Sequence, residues 1–191
     1  MRMLRPVTIV EYDTEWPSLY EKDKGEIIGA IGRIVRSIEH IGSTSVPGLA
    51  AKPIVDIMVG VDSEAEADRC VAILADIGYD DVTPQPENPD WYYCLGKRLD
   101  SIYCHLHLVR QESAFLEDHL LFRDYLRESP RTAREYHKLK KELAAKYKYD
   151  RLGYNLAKTD FIRSIVEMAR KKRDSMLKQS STRSSHSSDH P

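Results

Sequence analysis

Residues 38–61 read IEHIGSTSVPGLAAKPIVDIMVGV, and this stretch decides the fold. It holds two strand-like runs, Val35 to Ile41 and Pro53 to Val61, the second rich in β-branched residues. Between them lies a turn, Gly42-Ser43-Thr44-Ser45. A glycine at the end of a strand lets the backbone approach a ligand closely. The amides and hydroxyls of Ser43, Thr44 and Ser45 suit a concave site for phosphate oxygens. The segment is not a P-loop, because Gly48 stands six residues after Gly42 and is followed by Leu49 and Ala50. Asp56 lies inside the second run, between Val55 and Ile57. A carboxylate there is costly to bury unless it is paired, metal-bound or at a cleft. It therefore marks a candidate site; the plain alternative is an aspartate near a strand end that bonds loop amides.

Working outward, Val7 to Tyr12 reads as a short strand. Asp13 and Thr14 precede a helix from about Glu15 to Arg33, with Pro17 tolerated in its first turn. Ser63 caps a helix with Ala67, Cys70, Val71, Leu74 and Ile77 at helical spacing, ended by Gly78. Tyr79 to Thr83, Trp91 to Leu95 and Ile102 to Val109 read as strands, with the proline-rich TPQPENPD loop between the first two. After Gln111 the pattern turns helical. One helix carries Phe115, His119, Phe122 and Leu126, a second runs from Pro130 to about Lys148, and a last one from about Asn155 to Lys172. Mixed strands and helices followed by helices alone argue an α/β (α+β) domain with a C-terminal helical cap.

The chain has 191 residues, enough for one sizeable core. With 29 basic and 30 acidic side chains it lacks the positive surplus of a dedicated nucleic-acid binder, so no specific nucleic-acid partner is expected. No apolar run approaches a membrane span, and the first residues lack a signal-peptide core. Cys70, Cys94 and Cys104 are odd in number and widely spaced, without C-x-x-C. This argues against a disulfide scaffold and an all-cysteine zinc site, and for a reducing, cytoplasmic location. From residue 178 the chain reads KQSSTRSSHSSDHP. Such a segment cannot repay its ordering entropy. The expected organisation is a domain over residues 1–177 and a disordered, basic, Ser-rich tail over 178–191.

The 38–61 stretch resembles the nucleotidyltransferase superfamily and, within it, the GrpB-like proteins. HLHLV at 105–109 with FRDYLR at 122–127 carries the likeness further, as does EYHKLKKELA at 135–144 with AKTDFI at 157–162. The opening VEYDTEWPSLYE at 10–21 also fits, so the resemblance covers roughly residues 7–170. It implies a nucleotidyltransferase-like mixed β-sheet flanked by helices. It also implies that acids on the strand after the Gly-Ser turn hold divalent metals, which clamp a nucleotide's phosphates. GrpB-like domains occur fused to dephospho-CoA kinases, which points to coenzyme A chemistry as one candidate setting.

The departure from the superfamily pattern is as informative as the match. The second acid should stand two residues after Asp56, on the same face, and Met58 occupies that place. A thioether cannot hold Mg²⁺. The later strand that should supply a third acid offers His105 and His107 instead, also on one face. If that strand lies beside Asp56, the cluster of Asp56, His105 and His107 is poor for Mg²⁺ and good for Zn²⁺, Mn²⁺ or another transition metal. The alternatives are a histidine that meets phosphate directly, and a histidine pair that bonds neighbouring loops.

Asp56 and His107 are the catalytic candidates. Gly42, Ser43, Thr44, Ser45, Lys52, Arg123 and Lys158 are the nucleotide or phosphate candidates, with Arg127 read as surface charge. Trp91, Tyr92 and Tyr93 read as strand packing, with a base-binding wall as the alternative. The leading function is metal-assisted transfer of a nucleotidyl group from a nucleoside triphosphate to an unidentified acceptor. The second is a non-catalytic binder of a nucleotide or phosphorylated metabolite on the same fold, which Met58 favours. A metal-dependent hydrolase ranks third, since no zinc-hydrolase signature is present.

Overall fold

A computed structural model describes residues 6–84, 91–99 and 102–184. The elements are α1 (Trp16–Ile31), β1 (Ser37–Ile41), β2 (Ile54–Val61), α2 (Glu64–Ala75), β3 (Asp81–Pro84), β4 (Tyr92–Leu99), β5 (Ile102–Arg110), α3 (Ala114–Glu128), α4 (Pro130–Lys146), α5 (Arg151–Leu156) and α6 (Thr159–Ser184). A single 3₁₀ turn, Ser43–Ser45, follows β1. The strands form one mixed sheet in the order β1-β2-β5-β4-β3. Only β2 and β5 run parallel; the other pairs are antiparallel. The expected mixed sheet flanked by helices, with helices closing the C-terminal part, is what forms.

The two faces of the sheet differ because side chains alternate along a strand. One face presents Val55, Ile57, Val59 and Val61 of β2 with Cys104, Leu106 and Leu108 of β5, all fully buried. Trp16, Ile27 and Ile31 of α1 and Ala67, Cys70 and Leu74 of α2 pack on it. Each large apolar side chain removed from water contributes about 1.5–3 kcal/mol, so this is where most of the stability lies. Across the same core Lys97 Nζ meets Asp23 Oδ1 at 2.7 Å and Glu26 Oε2 at 2.5 Å, and the Tyr79 hydroxyl donates to Asp23. That ionic link ties α1 to β4.

The opposite face is apolar only at one end, where Ile41, Met58 and Val109 meet Leu116 of α3. The rest carries polar residues. Ser63 caps α2 as expected, its hydroxyl accepting from the Glu66 amide. Gly78, at φ 93°, closes the turn after it.

Three expected boundaries move. Val7 to Tyr12 forms only an isolated bridge, Val10 to Ala51, and the partner segment runs into Pro53, which has no N–H to extend the ladder. The single last helix is two, with α5 ending at Leu156 and α6 beginning at Thr159. Asp150 caps α5 through the Gly153 amide, which starts helix earlier than the apolar pattern does. Helix α6 continues to Ser184, into the segment assigned to the tail, and residues 185–191 lie outside the described part. Among the described residues no helix is long and apolar enough to cross a membrane.

Candidate functional site

The parallel β2–β5 register sets Asp56 opposite His105 and Met58 opposite His107. All four side chains share the polar face. Asp56 Oδ1 lies 3.3 Å from His105 Nδ1 and 3.4 Å from His107 Nε2. From the other side, the antiparallel β4–β5 register places Cys94 opposite His107. Ligand atoms of Cys94, His105 and His107 fall within 4.8 Å of one another. Tyr92, two residues before Cys94, shares a 2.5 Å hydrogen bond with His107 Nδ1. That contact orients the ring and leaves Nε2 facing Asp56. Gly42 completes this corner: at φ 71° a Cβ would stand 2.5 Å from Asp56 Oδ2, so only glycine lets the turn close over the carboxylate.

The electrostatics follow from this packing. Burial opposes ionisation of Asp56, yet the imidazoles of His105 and His107 beside it hold its carboxyl well below the usual range. Burial likewise opposes charge on His107, while Asp56 and Cys94 beside it raise its pKa to about 9. As a donor set, one carboxylate, two imidazoles and a thiol fit Zn²⁺ and other transition metals better than Mg²⁺.

A second cluster is cationic. Lys140 of α4 is 2% exposed, and its Nζ donates to Ser43 Oγ at 2.9 Å and to the Ala50 carbonyl at 2.5 Å. Lys158, in the turn between α5 and α6, places its Nζ 4.3 Å from the centre of the Tyr154 ring; Lys52, before β2, is 5.5 Å from the same ring. Burial first, and then the charges of Lys158 and Lys52, push Lys140 down to about 7. Burial and Lys52 bring Lys158 to about 8, against the pull of Asp56. Burial and Arg151 lower Lys52. Among the described residues none of the three forms an ion pair with a carboxylate. Three crowded ammonium groups beside Asp56 and Ser43 are arranged to receive a polyanion.

Several expected phosphate ligands turn elsewhere. Thr44 is buried and its hydroxyl meets His40 Nε2 at 3.1 Å; burial keeps His40 down at about 4. Ser45 Oγ donates to the Gly42 carbonyl at 2.6 Å. Of the three hydroxyls only Ser43 faces the lysines. Arg123 is committed to Glu39 at 2.6 Å, to Asp124 and to the His40 carbonyl, and so ties α3 to β1. Arg127, read as surface charge, donates twice to the Ser45 carbonyl. Tyr92, read as packing, touches His107. Sequence reasoning also missed Cys94 and Lys140. Cys94 carried one usable signal, its place on a strand's polar face; Lys140 sat unremarked within EYHKLKKELA.

Residues 6–168 match the family described as GrpB protein. The chain belongs to the GrpB family. A solved GrpB protein from Enterococcus faecalis is 32% identical, with a TM-score of 0.77, over 87% of this chain and 99% of that one. The UPF0157 protein YqkA of Bacillus subtilis is 36% identical over 172 residues, and the match spans 87% of this chain but only 48% of YqkA. The nucleotidyltransferase GLD-2, in its complex with RNP-8, is 13% identical with a TM-score of 0.54, over 78% of this chain and 58% of that one. That likeness gives this GrpB chain a nucleotidyltransferase-like fold and says nothing of its reaction.

Proposed function

We propose that this GrpB protein transfers a nucleotidyl group from a nucleoside triphosphate to an acceptor hydroxyl, amine or phosphate. The single observation that carries this is the convergence of Lys52, Lys140 and Lys158, without carboxylate partners among the described residues, on the same corner as Asp56 and Ser43. A triphosphate supplies the negative charge that this corner lacks. Lys140 and Ser43 would hold phosphate oxygens, and Lys52 and Lys158 would neutralise the tail. Asp56, His105 and His107 would hold a divalent metal, which supplies Lewis-acid charge stabilisation at the phosphate oxygens. The acceptor atom bonds to the α-phosphorus and loses its proton to solvent. The bond to the bridging oxygen breaks, and pyrophosphate leaves with the electron pair. The protein contributes position and charge neutralisation.

Met58 favours a second reading. It is fully buried among Ile41, Val109 and Leu116 where the superfamily pattern calls for a second acid. A site that cannot hold two Mg²⁺ ions would then bind a nucleotide or a phosphorylated, coenzyme A-related metabolite without turnover. Thermal shift and pyrophosphate release separate the readings, with nucleoside triphosphates and coenzyme A precursors crossed with Mg²⁺, Mn²⁺, Zn²⁺ or EDTA. A ligand at about 100 times its Kd adds about 2.7 kcal/mol. For a transferase, stabilisation needs nucleotide plus metal, and Asp56→Asn lowers pyrophosphate release by roughly a thousand-fold, the several kcal/mol that metal-borne charge supplies. Stabilisation that ignores both EDTA and Asp56→Asn, without pyrophosphate, establishes the binder instead.

A further inference from the structure

We propose that Cys94 is a metal ligand, and that Cys94, His105 and His107 form a three-ligand site for Zn²⁺ or a similar thiophilic divalent ion, whose fourth position, beside Asp56, stays open to that carboxylate or to a phosphate oxygen. In its catalytic meaning the inference rests on the transfer reading; as a metal site it stands on geometry alone.

The distances carry it. A charge-assisted N–H···O bond between an imidazolium and a carboxylate runs at about 2.7–2.9 Å. Asp56 Oδ1 instead stands 3.3 and 3.4 Å from His105 Nδ1 and His107 Nε2. Both separations are longer than that bond, so neither imidazole is held in a tight ion pair with the carboxylate. The third ligand, after the two imidazoles, comes from β4, where the β4–β5 pairing brings Cys94 to His107. Its thiol, with the two imidazoles, completes a group of ligand atoms within 4.8 Å. Tyr92 at His107 Nδ1 supplies the outer contact that metal-bound imidazoles require, fixing which nitrogen faces the ion.

The donor chemistry then selects the metal. Mg²⁺ demands six hard oxygens and keeps water; a thiolate and two imidazoles exclude it. The Met58 substitution follows from the same logic. A site built on β4 and β5 around one ion has no use for a second acid on β2, and that position is released to the α3 core.

The test uses the intact chain, stripped with a chelator and loaded with Zn²⁺ or with Co²⁺ as the optical probe. One metal is expected per chain. The Co²⁺ form should show tetrahedral visible bands and a sulfur-to-cobalt charge-transfer band, unmoved by excess Mg²⁺. Cys94→Ser should abolish the charge-transfer band and weaken Zn²⁺ by more than the roughly 10–100-fold that loss of an outer contact costs. His105→Gln, which leaves the thiol in place, should weaken Zn²⁺ while keeping the band. Failure of the wild type to bind Zn²⁺, a Co²⁺ adduct without the sulfur band, or unchanged affinity in Cys94→Ser would each overturn the site. The wild-type spectrum needs no variant, so a poorly folding Cys94→Ser does not block the test. Zinc bound without pyrophosphate release from any triphosphate would sink the transferase and leave the metal site standing. Pyrophosphate release with Mg²⁺ alone, undiminished in Cys94→Ser, would do the reverse.

Discussion

Gly42 shows how much of this site is set one residue at a time. Its backbone lies at φ 71°, ψ −173°, a conformation almost confined to glycine. A side chain there would also strike the Asp56 carboxylate. Gly42→Ala should therefore lower stability by about 1–3 kcal/mol, read by chemical denaturation, and weaken metal binding as Asp56 is displaced. Gly48 is the control. It too has positive φ, 76°, but open space around it, so Gly48→Ala should cost about 1–2 kcal/mol and leave metal affinity unchanged. Equal losses of metal affinity in both variants would refute the link between Gly42 and Asp56.

At the scale of elements, the contact that holds α1 on the sheet is ionic as well as apolar. Asp23 is 1% exposed and meets both Lys97 and Tyr79. Removing one partner of a buried pair leaves the other without compensation, at about 3–5 kcal/mol. Asp23→Ala should approach the low end of that range, because Glu26 still reaches Lys97. An unfolding free energy within 1 kcal/mol of wild type would show that the link contributes little. The seam between α3 and α6 is different. Arg173 and Lys172 meet Glu117 and Glu128 at 2.5 Å, but both pairs are exposed. Each is worth at most about 1 kcal/mol and weakens in salt. Strand β2 was legible in sequence from its β-branched run, and α2 from its serine cap. The split of the last helix was not, since apolar periodicity continues across a break that Asp150 and the turn at Lys158 decide.

The lysine cluster exists only in the whole molecule, since it draws on the loop before β2, on α4 and on the turn before α6. Its pH dependence has a definite sign. In the unfolded chain Lys140 titrates near 10.5 and in the fold near 7, so between these values the unfolded state binds more protons. Stability of the ligand-free protein should rise as pH increases through that window. Lys140→Met should flatten the rise, and an unchanged slope of melting temperature against pH would assign it to other groups. A bound polyanion reverses the balance by favouring ammonium, so phosphate-ligand affinity should fall from about 7 upward, as Lys140 and then, near 8, Lys158 lose their protons. By itself the sequence determined the strand–turn–strand unit around Gly42, the exposure of Asp56 to chemistry, and the absence of a second acid at Met58. These depend on composition and on the two-residue period of a strand, which are local. Only the tertiary structure decided that Cys94 joins His105 and His107, that Ser43 alone of three hydroxyls meets a lysine, and that Arg123 and Thr44 face elsewhere. Strand order, register and helix docking bring those groups together, and residues 52, 94, 107, 140 and 158 have no period in common that a chain read in one dimension can reveal.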